Sequence, residues 1–74
     1  MQIKNPADAR ARAGAMLAYR DGNYAPKVIE GLRGRAARLV AAIEAKRAAA
    51  RAPHMIADWA EAEADVKRMI AHLL

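Results

Sequence analysis

The stretch PKVIEGLRGRAARLVAAI, residues 26–43, decides the fold of this 74-residue chain. Its larger apolar residues recur at intervals of three and four, the period of one buried face of an α-helix. The members of this stripe are Val28, Ile29, Leu32, Ala36, Leu39, Val40 and Ile43. Pro26 suits the first turn of a helix, and Pro53 favours a break just before it. We therefore predict a long second helix over about residues 25–51.

A shorter helix is predicted before this stretch, over about residues 6–21. Asn5 is a good N-cap, Pro6 suits the first helical turn, and Asp8 complements the positive end of the helix dipole. The sequence Asp-Gly-Asn at residues 21–23 has the turn chemistry that ends a helix. The narrow apolar stripe of this helix consists of Ala9, Ala13, Met16 and Leu17.

A third helix is predicted over about residues 54–73, because its apolar residues are spaced alternately four and three apart. They are Met55, Trp59, Ala62, Val66, Met69 and Leu73. No segment shows the alternation of a strand. We therefore expect one all-α domain over residues 1–74, in which the second and third helices form an antiparallel hairpin and the first packs on it.

Two glycines, Gly31 and Gly34, interrupt the pattern of the second helix. A glycine inside a helix costs about 1 kcal/mol relative to alanine. The pair therefore marks either a close crossing with another helix or a local weak point.

The apolar content favours association. Apolar residues make up 55% of the chain, but 21 of them are alanine and only 20 are larger. A domain this small has a thin core. We expect that burying both flanks of the second and third stripes requires a second chain, which predicts a symmetric homodimer.

Several chemistries are excluded by missing residue types. The chain has no Cys, Ser or Thr, which excludes disulfides, thiolate and hydroxyl nucleophiles, and a phosphate-binding loop of the Walker type. His54 and His72 lie on no metal-ligand spacing, and His54 with Asp58 is typical of a solvated pair at a helix start. We expect no enzyme activity, no metal and no cofactor.

The apolar stretches are too short for a membrane span, which needs roughly 20 residues. The first residues also lack the apolar region of a signal peptide. With no Cys, these features predict a cytoplasmic protein that does not enter a membrane.

The net charge of +5 is unevenly distributed, at +2 over residues 1–24, +5 over 25–52 and −2 over 53–74. In an antiparallel hairpin, the acidic third helix neutralises part of the basic second helix. We expect Glu63 to reach Lys46 on the facing helix.

The bases of the second helix flank its apolar stripe rather than forming one exposed row. Arg35 and Lys46 lie on one flank and Arg38 lies near the back; the other flank carries Arg33, Arg47 and Arg51. This pattern is typical of a helix that meets another helix, although plain solubilising charges give it too. We expect a protein partner at a surface formed by Tyr24, Arg33, Arg35 and Arg38.

Residues 17–32 in part resemble a helix-turn-helix. Ala18, Gly22 and Val28 stand at the spacings of that motif, and Arg-Gly-Arg follows at residues 33–35, much as in regulators of the lactose-repressor type. The resemblance implies an alternative function, DNA binding by a small transcriptional regulator. The DNA-contacting residues would then be Tyr24, Lys27, Arg33 and Arg35.

In size and composition the chain is similar to helical accessory regulators encoded by phages and mobile elements, such as anti-activators, anti-repressors and CRISPR inhibitors. This resemblance implies a non-enzymatic protein that binds a protein partner and modulates or inhibits its activity. Nucleic-acid binding is the second hypothesis, and a structural assembly subunit is the third.

Overall fold

A computed structural model describes residues 1–20 and 22–74. Three α-helices follow one another, α1 (Pro6–Leu17), α2 (Pro26–Ala49) and α3 (Pro53–Met69), and a short 3₁₀ helix spans Ala71–Leu73. The described residues contain no strand. The predicted all-α class with three helices is confirmed.

The helix starts follow the predicted signals. The Asn5 side chain accepts a hydrogen bond from the backbone N–H of Asp8 at 2.8 Å, which satisfies one of the free donors of the first turn of α1. A proline, whose missing N–H costs nothing there, begins each helix.

The helix ends differ from the prediction. α1 stops at Leu17, short of the predicted 21, and the N–H groups of Tyr19 and Arg20 bond three residues back in a tight turn. The apolar stripe of α1 also ends there, so nothing holds a further turn against the core. The predicted end at Asp21 lies outside the described residues.

The predicted α2 and α3 also extend too far at their C-terminal ends. α2 ends at Ala49 because Ala50 is extended, which turns the chain toward Pro53. α3 ends at Met69, and the chain from Ala71 tightens into the 3₁₀ helix instead of continuing to 73.

The helices pack as predicted, with α2 and α3 in an antiparallel hairpin and α1 against both. Ion pairs fix the orientation, since Arg47 meets Glu63 and Glu44 meets Lys67. On the other side, Arg10 of α1 binds Asp65 of α3. α1 therefore runs parallel to α3 and antiparallel to α2.

The core contains most of the three predicted stripes. Its buried apolar members are Ile3, Ala9, Ala13, Met16, Leu32, Ala36, Leu39, Ile43, Trp59, Ala62, Val66, Ile70 and Leu73. Ala9 and Ala13 are fully buried, and their small side chains let α1 approach the hairpin closely.

The burial predicted for two residues is wrong. Val28 is 43% exposed and Met55 is 37% exposed, because each lies in the first turn of its helix, at the N-terminal end. Two core residues were not predicted, Ile3 before α1 and Ile70 after α3, which are 2% and 0% exposed.

α2 is continuous through both glycines. A Cβ at Gly31 would meet nothing within 4 Å, and one at Gly34 would meet only the guanidinium of Arg38, from its own helix. Neither glycine therefore serves a close crossing with another described helix.

One chain already buries the central members of both stripes, including Leu39 and Ile43 of α2 and Val66 of α3. Burial of these stripes therefore does not require a second chain, and the homodimer stays a prediction without that reason. None of the described helices is both long and apolar enough to cross a membrane.

Candidate partner-binding groove

A groove of about 390 Å³ lies between α1 and α2. Met16 and Leu32, which are almost fully buried, form its apolar floor together with Ala15. Its other lining residues are Met1, Arg12, Tyr19, Arg35 and Arg38. Three arginines from two helices therefore surround an apolar floor.

Helix geometry explains how this lining is assembled. On α1, Arg12 is followed by Ala15 and Met16, at intervals that place all three on one face of the helix, and Tyr19 follows in the turn after α1. On α2, Leu32, Arg35 and Arg38 are three residues apart and follow one edge of the buried stripe. When α1 packs on α2, these two faces meet along the groove.

A second groove continues from the first, since Met1 and Arg12 line both. The short side chains of Ala42 and Ala45 on α2 leave this space open. Its remaining lining residues are Gln2, Ile3, Lys4 and Lys46. Among residues 1–20 and 22–74, no carboxylate lines either groove. We refer to the two together as the α1/α2 groove.

The carboxylates that form ion pairs lie outside the lining of the α1/α2 groove. Asp65 accepts hydrogen bonds from Nε and Nη2 of Arg10, at 3.0 and 2.8 Å, and also contacts Arg68. Asp8 pairs with Arg12 at 3.3 Å on the surface of α1. The hydrogen bond from Arg10 is the main reason that the pKa of Asp65 lies below its ordinary value.

Glu63 joins α2 to α3. Its Oε2 lies 2.9 Å from Nζ of Lys67, and its Oε1 accepts a 3.1 Å hydrogen bond from Nη1 of Arg47. The bond from Lys67 is the largest cause that lowers the pKa of Glu63, against the opposing effect of burial, and the same bond raises the pKa of Lys67.

The predicted contact between Glu63 and Lys46 is wrong. Arg47 makes this contact, because one residue further along α2 rotates the side chain by about 100° toward α3. Lys46 instead lines the α1/α2 groove.

The predicted partner-binding residues divide into two sets. Arg35 and Arg38 lie side by side in the groove, and within the described chain neither forms an ion pair. Arg33 is exposed and lies outside the groove lining. The same is true of Lys27, which belongs to the DNA-binding alternative.

Tyr24 lies beside the end of the groove. Its ring stacks on that of Tyr19 at a centroid distance of 5.0 Å and an angle of 56°, and both rings are partly exposed. Gly22 leaves room for the Tyr24 ring in this position, since a Cβ there would overlap the ring. The tyrosine pair therefore extends the arginine-lined surface with exposed aromatic area.

Sequence reasoning missed Arg12 and Tyr19. Arg12 shares one face of α1 with the stripe residue Met16, whereas Tyr19 lies in the turn after that helix. Only the packing of α1 on α2 shows that both residues line a groove with Arg35.

The helix-turn-helix expected at residues 17–32 does not have the geometry of that motif. α1 ends at Leu17 and α2 begins at Pro26, whereas the motif joins its helices by a turn of about three or four residues. α2 also extends over 24 residues, far beyond a typical recognition helix.

The two histidines lie away from the groove lining. His54 and Asp58 are both exposed in the first half of α3, as expected of a solvated pair. His72 is partly buried, and its Nε2 has no hydrogen-bond partner among residues 1–20 and 22–74.

Comparison with known proteins finds no relative that indicates a role for this groove. No family model, no curated protein and no solved structure matches the chain.

Proposed function

We propose that this chain is a small non-enzymatic protein of the cytoplasm that binds another protein through the α1/α2 groove and so modulates or inhibits its activity. One observation carries the proposal: Arg35 and Arg38 stand beside an apolar floor, and no carboxylate of the part of the chain that the structure describes lines the groove beside them. Arginine and tyrosine dominate the energetics of many protein interfaces, because they combine apolar area with directed hydrogen bonds.

The distribution of ion pairs supports this proposal. Arg10 and Arg47 satisfy carboxylates of α3 and hold the helices together. Arg35 and Arg38 make no such pair in the described chain, so they contribute charge without an internal structural role. Desolvating them against carboxylates of a partner gives specificity and speeds association.

Nucleic-acid binding is the second candidate, and one observation favours it. The packing of α1 on α2 brings Arg12 into line with Arg35, Arg38 and Lys46, which forms a more continuous basic row than α2 has alone. A phosphate backbone follows such a row, but it has no apolar groups to cover the exposed side chains of Met1 and Tyr19. The exposed apolar lining therefore favours a protein.

The test is affinity capture by the tagged full chain from a nuclease-treated lysate of its source cells. Arg35→Glu with Arg38→Glu reverses two charges inside the groove, and Lys27→Glu with Arg33→Glu is the matched control on the exposed surface of α2. We expect the groove variant to lose its partner by about tenfold or more, with unchanged helicity, and the control to retain it.

Equal capture by both variants would show that the groove is not the binding surface. Capture that disappears after nuclease treatment, and that the control variant loses as well, would favour the DNA-binding alternative.

The homodimer is tested separately by light scattering at tens of micromolar, a concentration scale at which weak dimers populate. A mass of about 8 kDa would contradict it. Ile43→Asp is not a specific test, because Ile43 is fully buried within one chain and the substitution unfolds the monomer.

A further inference from the structure

We propose that the element of the partner that occupies the α1/α2 groove is an acidic amphipathic helix of about three turns. This inference rests on the proposed function and specifies the chemistry of the partner. It follows from the length of the groove, from its cross-section and from the sign of its charge.

The length fits a short helix. Along α2 the basic residues of the groove run from Arg35 to Lys46, which corresponds to about 16 Å of helix axis. An added helix of about three turns has the same length. An amphipathic helix also commonly binds with its apolar face in a hydrophobic groove of this kind.

The cross-section fits an apolar stripe with acidic edges. Met16 and Leu32 form the floor at one end, and Ala42 and Ala45 leave room for larger apolar side chains at the other. Cations stand on both sides, from α1 with the segment before it and from α2. They are Lys4, Arg12, Arg35, Arg38 and Lys46.

The positive charge of the groove favours a negatively charged partner. Four of these five cations form no ion pair within the described chain, and Arg12 pairs with Asp8, outside both linings. Gathering like charges in one groove is unfavourable until a ligand neutralises them. A helix with carboxylates flanking an apolar stripe neutralises these cations and also covers the exposed lining residues Met1 and Tyr19, which a phosphate backbone does not do.

The test is fluorescence anisotropy of the full chain with a labelled synthetic helix of about fourteen residues, carrying a leucine stripe flanked by glutamates. We expect saturable binding that Arg35→Glu with Arg38→Glu weakens by about tenfold or more. The control, Lys27→Glu with Arg33→Glu, is expected to change the affinity by about twofold or less, since rim charges contribute little.

Two altered peptides separate the contribution of the charge to binding from that of the apolar stripe. Replacing glutamate by glutamine removes the charge, and replacing leucine by serine removes the stripe. We expect each change to weaken binding by about tenfold or more. Equal binding of the serine peptide would overturn the inference, since charge alone would then suffice. So would a DNA duplex of matched length that binds as tightly as the leucine peptide and with the same dependence on Arg35 and Arg38.

Two further results would also overturn the inference. If the chain alone is a dimer that Arg35→Glu with Arg38→Glu dissociates, the groove is occupied by a second copy. If the leucine and glutamate peptide does not bind while lysate capture still depends on the two arginines, the groove takes a protein of other chemistry and only the proposed function stands.

Discussion

Glu63 is the buried carboxylate on which the contact between α2 and α3 is centred. It is 8% exposed, while its partners Lys67 and Arg47 are about half exposed. Solvent therefore screens the pair, and we expect its contribution to stability to be about 1 kcal/mol. Glu63→Gln removes the charge while keeping the shape of the side chain.

The pKa of Glu63 gives this contribution a pH dependence. Since the pKa is lowered in the folded chain, the stabilisation is present above the unfolded pKa and is lost as the pH falls through the folded pKa. We expect urea unfolding to show Glu63→Gln less stable than the parent chain at pH 7, with the difference shrinking near pH 3. Glu61→Gln, at an exposed position of α3, is the control. A difference that persists at pH 3 would contradict this assignment.

His72 carries a buried polar atom, Nε2, that lacks a partner in the described part of the chain. Such an atom costs about 1–3 kcal/mol of desolvation. We expect His72→Leu to raise the free energy of unfolding by about 1 kcal/mol, whereas His54→Leu, at an exposed site, changes it little. A loss of stability in His72→Leu would show that the imidazole makes a necessary hydrogen bond.

At the scale of the helix, Gly31 is the feature of α2 most open to improvement. It is exposed in mid-helix and has no neighbour within 4 Å of an added Cβ. We expect Gly31→Ala to raise stability by about 0.5–1 kcal/mol, because alanine loses less backbone entropy on folding. In a domain of this size the melting temperature rises by about 4–8 °C per kcal/mol.

Ala37→Gly is the matched control in the same helix, at an exposed position. It is expected to lower the melting temperature by a similar amount. A Gly31→Ala variant that melts lower than the parent chain would show that the glycine is required for a contact absent from this fold.

The number and order of the helices could be predicted because caps, prolines and apolar periodicity are local signals. Burial at the helix ends could not, since it depends on how far a neighbour extends. Val28 and Met55 continue their stripes but lie in first turns near the ends of their helices. Ile3 is buried although it precedes α1, where no periodicity marks it.

Only the residues that α2 contributes to the candidate site could be predicted from the sequence. Arg35 was predicted on a flank of the α2 stripe, whereas Arg38 was predicted near the back of the helix and lines the groove instead. Arg12 and Tyr19 enter the groove through tertiary packing. The error between Lys46 and Arg47 has the same origin, because one residue of helix rotation decides which neighbour a side chain meets.

At the scale of the whole molecule, charge is divided between two surfaces. Arg10 and Arg47 form ion pairs with α3, whereas the cations of the α1/α2 groove have no carboxylate beside them among the described lining residues. Five of the 13 Lys and Arg residues of the chain therefore line a groove that also has an apolar floor. That coincidence is the basis of the proposed function.

The most direct measurement is site-specific photo-crosslinking in the source cells. A photoreactive side chain at Ala15 stands in the groove, whereas one at Ala41 stands on an exposed part of α2 outside both groove linings. We expect a protein crosslink from position 15 that is absent from position 41 and is lost when Arg35 and Arg38 are replaced by glutamate. A crosslink of equal yield from position 41, or one to nucleic acid alone from position 15, would contradict it.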